Sequence, residues 1–201
     1  MYNKKNICKG DETLLLSRID GWDRMISGYL AAHRTEGADA FFCTITHLAD
    51  WYIVVPLVLL LMGVLIRKKK YRPALWTLPM MCTALTLLSI LKNLVERPRP
   101  EVLHLVAADG YSFPSMHSGL SVLFYGWVAC ILLTEGFVTG KGARLLKAGA
   151  VLLPFLIGCS RMYVNVHYCS DVLAGWFLGG CFLFLTIRLF SRKSRAASPR
   201  S

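Results

Sequence analysis

The sequence predicts an all-α protein, a polytopic transmembrane bundle of about five spanning helices with an interfacial amphipathic segment at the N-terminus. Of the 201 residues, 55% are hydrophobic and only 17% are charged, whereas soluble domains carry about 25% charged residues. The apolar residues collect in five long runs that are nearly free of charge. Because five such runs leave too little polar surface to cover them, the composition excludes disorder for most of the chain and argues against a soluble globule.

The five runs cover residues 51–66, 73–91, 120–134, 148–159 and 172–187. A spanning helix needs about 20 residues, so several runs must be extended by a turn at one end. The extended ends carry Lys92, Ser115, Arg161 and Asp171. We therefore expect polar functional groups where the helices leave the membrane. In the last run, Gly175 and Gly179 predict close helix packing within the bundle rather than dimerisation.

The first fifty residues have a different pattern. Residues 11–34 mix apolar and charged side chains at spacings of three and four, which predicts an amphipathic helix lying in the membrane interface. Residues 37–50 predict a second short helix that leads into the first span. We assign residues 1–50 to the interfacial segment, 51–190 to the transmembrane core and 191–201 to a basic cytoplasmic tail.

The net charge of +11 is explained by topology. Basic residues cluster at 67–72, at 141–147 and from 188 to the C-terminus, and alternation of the spans places all three clusters on one side, which should be cytoplasmic. We therefore expect no nucleic-acid partner. The seven cysteines form no CxxC pair, and we interpret them as small apolar residues rather than as disulfides or metal ligands.

The side opposite the basic clusters also carries cations, which need another explanation. Lys92, Arg99 and Arg161 could neutralise phosphate oxygens. Pro114-Ser115 reads as a helix start, with Ser115 at the N-cap or N1 position, where free backbone N–H groups attract anions. Together these residues predict a phosphate site. Arg97 is interpreted as a solvated loop charge outside that site.

Two histidines and an aspartate supply the reactive groups. His167 and Asp171 are four residues apart, so on a helix they would share one face. The carboxylate would then hold one ring nitrogen and leave the other as a nucleophile. His117 is suited to general acid–base chemistry. The remaining histidines, His33, His47 and His104, are interpreted as structural or interfacial.

These segments resemble the three motifs of the type 2 phosphatidic acid phosphatase superfamily, over about residues 51–187. The first motif is Lys, six residues, Arg-Pro, and matches Lys92, Arg99 and Pro100. The second is Pro-Ser-Gly-His, and matches Pro114, Ser115 and His117 with Met116 in place of the glycine. The third is Ser-Arg, five residues, His, three residues, Asp, and matches Ser160, Arg161, His167 and Asp171.

The resemblance implies a metal-independent, cofactor-free phosphoryl transfer in two steps. His167 would form a phosphohistidine, Asp171 would orient it, and His117 would protonate the leaving oxygen and then activate water. The phosphate would be held by Lys92, Arg99, Ser115 and Arg161, with Pro114, Met116 and Ser160 as supporting positions. We expect residue 116 to be helical, with its N–H facing the phosphate and its side chain facing lipid. The family also suggests six spans, of which the interfacial segment would replace the first.

The expected function is hydrolysis of a phosphate monoester or pyrophosphate of a lipid, by an enzyme of the cytoplasmic (inner) membrane whose site faces the periplasmic or extracellular side. Small members of the superfamily act on undecaprenyl pyrophosphate, phosphatidylglycerophosphate, phosphatidic acid or lipid A. The short chain favours a prenyl pyrophosphate modestly. Two alternatives stay open: a phosphotransferase with a lipid acceptor, and a non-enzymatic binder or transporter of anionic lipids. The sequence does not define the oligomeric state.

Overall fold

The computed structural model describes the backbone of residues 4–196 and the side chains of residues 17–192. Within that range the chain forms helices and no strand, which confirms the all-α prediction. Parts of the predicted N-terminal segment and basic tail lie outside the described side chains. The helices are α1 (Lys4–Ala32), α2 (Glu36–His47), α3 (Trp51–Arg67), α4 (Tyr71–Val95), α5 (Met116–Thr134), α6 (Gly140–Tyr163) and α7 (Cys169–Ala196).

The helices α4, α5, α6 and α7 are long and apolar enough to cross a bilayer. The helix α3 has only 17 residues, which is short for a span. It reaches spanning length together with α2, to which it is joined by a short break with a bend of 45°. Counting this bent pair as one span gives five spans, in agreement with the predicted number.

Contacts between residues at the helix ends show which segments of the chain lie at the same end of the bundle. Lys70, between α3 and α4, forms an ion pair with Glu135 at the end of α5 (2.7 Å). Arg72 donates to the carbonyl of Phe190 near the end of α7 and lies over its ring. The basic clusters therefore gather at one end of the bundle, and the motif residues lie at the other.

The centre of the bundle is α5, which packs closely against α7. A Cβ added to Gly179 would lie 2.3 Å from the carbonyl oxygen of Gly119 on α5, so the two backbones touch at these glycines. This agrees with the prediction of close packing within the bundle. Deeper along α5, Trp127 is fully buried and donates to Thr77 on α4 (3.0 Å). The six cysteines that the structure describes are free thiols.

The helix α1 turns its polar side toward the protein. Asp23 and Ser27 are buried, while large apolar side chains on the other face are exposed: Ile19, Trp22, Met25 and Tyr29. Exposed apolar side chains at helical spacing are costly in water and favourable in a membrane interface. This arrangement supports the interfacial prediction for residues 17–32. The inward polar face places Asp23 beside the motif residues.

Candidate active site

His167 lies in the segment between α6 and α7, where it is buried to 97% (3% exposed). Its backbone N–H donates to the carbonyl of Arg161 (3.3 Å). The expectation that His167 and Asp171 share a helical face is wrong, because α7 begins only at Cys169. The two side chains are nevertheless neighbours, with His167 Nδ1 3.6 Å from Asp171 Oδ2. Nδ1 has no hydrogen-bond partner among the described residues.

The environment of His167 keeps its imidazole neutral. Burial lowers the pKa of His167 far below its ordinary value, because the charged form loses its hydration, and the nearby Asp171 offsets this only in part. The charges of Arg161 and Arg99 lower the pKa further. A neutral imidazole keeps a lone pair available for attack on phosphorus.

Asp171 is held by three elements of the fold. Its Oδ2 accepts from the backbone N–H of Tyr168 (2.9 Å), which is one arm of a capping box at the start of α7. Its Oδ1 accepts from Arg97 (2.7 Å), and its backbone carbonyl accepts from the N–H of Ser115 (3.0 Å). The carboxylate thus has a fixed position beside His167.

Arg97 is a partly buried residue that contacts three aspartates and not a solvated loop charge, so that interpretation is wrong. Besides Asp171, its guanidinium contacts Asp23 and Asp20 of α1, both at 2.8 Å, and lies over the ring of Tyr168. Burial opposes the charged form, but the hydrogen bonds to Asp23 and Asp171 outweigh it and raise the pKa of Arg97. The signal in the sequence is the pair of aspartates in the amphipathic helix α1, of which Asp23 lies on the inward face.

The backbone holds two of the predicted phosphate-binding cations in place. Arg99 donates to the carbonyls of Val166 (2.6 Å), Asp109 (2.7 Å) and Gly110 (3.0 Å), which ties it to the segment that carries His167. Lys92 donates to the carbonyl of Tyr111. Both cations are therefore positioned by the loop between α4 and α5.

The third cation, Arg161, is 5% exposed near the end of α6. Its Nη1 donates to Thr46 on α2 (2.7 Å), while its Nε is buried without a hydrogen-bond partner among the described residues. A phosphate oxygen is a natural acceptor for such a donor, because a buried unpaired N–H is costly.

The predicted phosphate-binding cations and the two motif histidines are close enough to interact electrostatically. The charges of Arg99 and Arg161 act on Lys92 and also on both histidines, His117 and His167. Within the described part of the chain, none of the three cations has a carboxylate within ion-pair distance. The region between these side chains therefore has an excess of positive charge that suits a phosphate group.

The start of α5 is built as predicted, with Ser115 at its N-cap and residue 116 helical. The Ser115 hydroxyl accepts from the N–H (3.4 Å) and the hydroxyl (2.9 Å) of Ser118. Its own N–H is used by Asp171, so the free first-turn donors are those of Met116 and His117. Pro114 precedes this turn. Ser160 donates to the carbonyl of Ile157 in its own helix (2.6 Å), which is a structural contact.

His117 has a carboxylate partner that sequence reasoning missed. Its Nε2 lies 2.7 Å from Oδ1 of Asp50, the residue that precedes α3. The other Asp50 oxygen lies 2.6 Å from Nδ1 of His47. His47, interpreted from the sequence as structural or interfacial, is therefore adjacent to the site. No local pattern connects residues 50 and 117.

An apolar groove runs from the site along α3, α4 and α5, with a volume of about 380 Å³. Asp50, Met116 and His117 stand at its polar end. Its walls are apolar side chains that face the membrane region, among them Val54, Val58, Leu78, Leu85 and Leu120. A hydrocarbon chain fits such a groove while its polar head reaches His117.

The fold and this site are those of a multi-pass membrane phosphatase. Residues 73–195 match the model of the PAP2 superfamily, and the chain belongs to that superfamily. It is 32% identical to phosphatidylglycerophosphatase B of Bacillus subtilis over 175 residues, which are 87% of this chain and 86% of the relative. It is also 32% identical to the undecaprenyl-diphosphatase of Sulfolobus acidocaldarius over 40% of this chain and 34% of the relative.

A solved structure has the same architecture. The crystal structure of a transmembrane PAP2-type phosphatidylglycerolphosphate phosphatase from Bacillus subtilis superposes with a TM-score of 0.82 at 28% identity. The superposition covers 87% of each chain. The similarity therefore extends beyond the three motifs to the N-terminal helices.

Proposed function

We propose that this protein is a membrane lipid phosphatase that removes the terminal phosphate from a phosphomonoester lipid of the phosphatidylglycerophosphate type. The reaction runs through a phosphohistidine at His167 and needs no metal. The observation that carries this proposal is the convergence of a neutral buried histidine and three cations that, among the described residues, have no carboxylate within ion-pair distance. The apolar groove that opens beside them supplies room for the lipid.

In the first step, the phosphoryl oxygens lie among Lys92, Arg99 and Arg161, and the unpaired Nε of Arg161 donates to one of them. Nε2 of His167 attacks phosphorus, and the bond between phosphorus and the lipid oxygen breaks. The imidazole acquires positive charge, which the fixed carboxylate of Asp171 stabilises. His117 delivers a proton to the departing lipid oxygen.

In the second step, His117, now neutral, takes a proton from water, and the resulting hydroxide attacks the phosphohistidine. The P–N bond breaks, inorganic phosphate leaves, and His167 returns to its neutral form. The cations hold the phosphoryl group through both steps, so no metal is required to neutralise its charge.

The position of the groove supports a lipid substrate. Its polar end is formed by Met116 and His117, so a lipid bound there would place its ester oxygen next to the general acid. Because Met116 is helical, its side chain can line the groove without entering the phosphate pocket. A relative that matches 87% of this chain is a phosphatidylglycerophosphatase, which favours a monoester over a pyrophosphate.

We assign the protein to the cytoplasmic membrane with the site on the outer side. The basic clusters lie at the opposite end of the bundle from the motif residues, and such clusters favour the cytoplasm. The apolar face of α1 would then rest in the outer interface, next to the entrance of the site. A fluorescent protein fused to the C-terminus should fluoresce in cells, because that end would be cytoplasmic.

Phosphate release by the purified protein in detergent tests the proposal. With EDTA present, we expect release from phosphatidylglycerophosphate above that from undecaprenyl pyrophosphate, phosphatidic acid and lipid A. His167→Ala should abolish release and covalent labelling by a substrate radiolabelled in its phosphate, whereas His33→Gln, at an exposed histidine just after α1, should retain both. Phosphate release by His167→Ala at the wild-type rate would refute the role of His167 as nucleophile. Reaction only in the presence of a lipid acceptor would indicate a phosphotransferase.

A further inference from the structure

The break between α2 and α3 places a carboxylate at the site. α2 ends at His47, α3 begins at Trp51, and the axes bend by 45°. Asp50 is the N-cap residue of α3, yet its side chain makes no capping hydrogen bond. An aspartate at this position normally accepts from the first free N–H groups of the helix. Here both carboxylate oxygens are used by His117 and His47 instead.

From this geometry we infer that Asp50 is the positioning residue of His117, a second carboxylate–histidine pair that complements Asp171 and His167. This inference rests on the proposed role of His117 as the general acid. Asp50 accepts from Nε2–H of His117, which leaves Nδ1 to serve the substrate. When Nδ1 gives its proton to the lipid oxygen, the ring keeps Nε2–H and can then accept a proton from water at Nδ1.

A general acid must hold a proton when the leaving oxygen departs, and a neighbouring carboxylate stabilises a protonated imidazole. Asp50 is the carboxylate that lies within hydrogen-bond distance of His117. The positive charges of Arg161 and Arg99 also act on this imidazole. His47 and Tyr52 are the other titratable groups at the carboxylate.

The break is held in place from two sides, so the position of Asp50 is determined by the fold. Tyr125 on α5 donates its hydroxyl proton to the carbonyl of Leu48 (2.8 Å). Thr46, in the last turn of α2, accepts from Arg161 (2.7 Å). The same short segment therefore positions both the general acid and a phosphate-binding cation.

Leaving-group dependence tests the inference. General acid catalysis contributes about 10²–10⁴-fold when the leaving oxygen is poorly stabilised, and little when the leaving group is a good one. Asp50→Asn should therefore slow phosphohistidine formation in a single turnover about 100-fold with phosphatidylglycerophosphate but less than about fivefold with p-nitrophenyl phosphate. In this first step His117→Asn should show the same selective loss, and Glu36→Gln, at an exposed carboxylate of α2, should show none.

The pH profile on the lipid substrate is an independent readout. Because Asp50 favours protonated His117, its removal should shift the basic limb of kcat to lower pH, and Asp50→Glu should restore the limb in part. Equal losses on both substrates with an unshifted limb would overturn the role of Asp50. A His117→Asn variant without leaving-group dependence would instead refute the general acid of the proposed function. Thermal melting confirms that each variant is folded.

Discussion

Replacing Arg97 by glutamine tests whether Arg97 links α1 to the carboxylate of Asp171. The substitution leaves two carboxylates, Asp23 (3% exposed) and Asp171 (0% exposed), without their cation. Removing one partner of a buried ion pair costs about 3–5 kcal/mol. Asp23 keeps the N–H and hydroxyl of Ser170, and Asp171 keeps the N–H of Tyr168, so we expect a loss near the lower limit.

The expected loss is therefore about 3 kcal/mol, which corresponds to a decrease in Tm of about 6–12 °C for a protein of this size. We also expect at least a tenfold decrease in kcat, because Asp171 is no longer fixed beside His167. Thermal unfolding in detergent and phosphate release from the lipid substrate measure the two effects.

Two further variants separate the exposed contact of Arg97 from its contact with the buried Asp23. Asp20→Asn removes an exposed partner of Arg97 (56% exposed side chain) and should cost less than about 1 kcal/mol. Asp23→Asn combined with Arg97→Gln should be less destabilised than the sum of the single variants, because the unpaired buried charge at residue 23 is gone. An Arg97→Gln variant with unchanged Tm and kcat would refute the conclusion that Arg97 connects Asp23 to Asp171.

Four further outcomes are expected. Burial lowers the pKa of His167, so below about pH 6.5 the unfolded chain binds a proton that the native protein does not. As the pH is lowered below this value, the free energy of unfolding should therefore decrease more in wild type than in a His167→Leu variant. The acid limb of kcat/KM that reports His167 should likewise lie below pH 6.5. Thr46→Val removes a hydrogen bond to charged Arg161 worth about 1.5 kcal/mol and should raise KM roughly tenfold in steady-state assays. Gly179→Ala should lower stability by about 1–3 kcal/mol by overpacking, whereas Gly180→Ala, with nothing within 4 Å of the added Cβ, should not, as melting curves of the pair will show.

Much of the fold was predictable because its signals are local. Long apolar runs indicate helices wherever they occur, and the helices α4 to α7 agree with the predicted runs to within about a turn at the motif ends. Ser115 at the N-cap of α5 follows from Pro-Ser before an apolar run. His167 was misplaced on a helix because its spacing to Asp171 is helical. The N–H of Tyr168 instead donates to the carboxylate of Asp171, and this capping bond starts α7 after His167.

The sequence by itself determined the class of protein, the number of spans and the residues of the three motifs, since hydropathy and short spacings are written in consecutive residues. Tertiary structure alone decided the partners of those residues. Arg97 meets Asp23 across 74 positions and His117 meets Asp50 across 67. Such ion pairs depend on how α1 and the α2–α3 break dock against the bundle. A charge on a loop therefore looks the same in the sequence whether it faces water or a buried carboxylate.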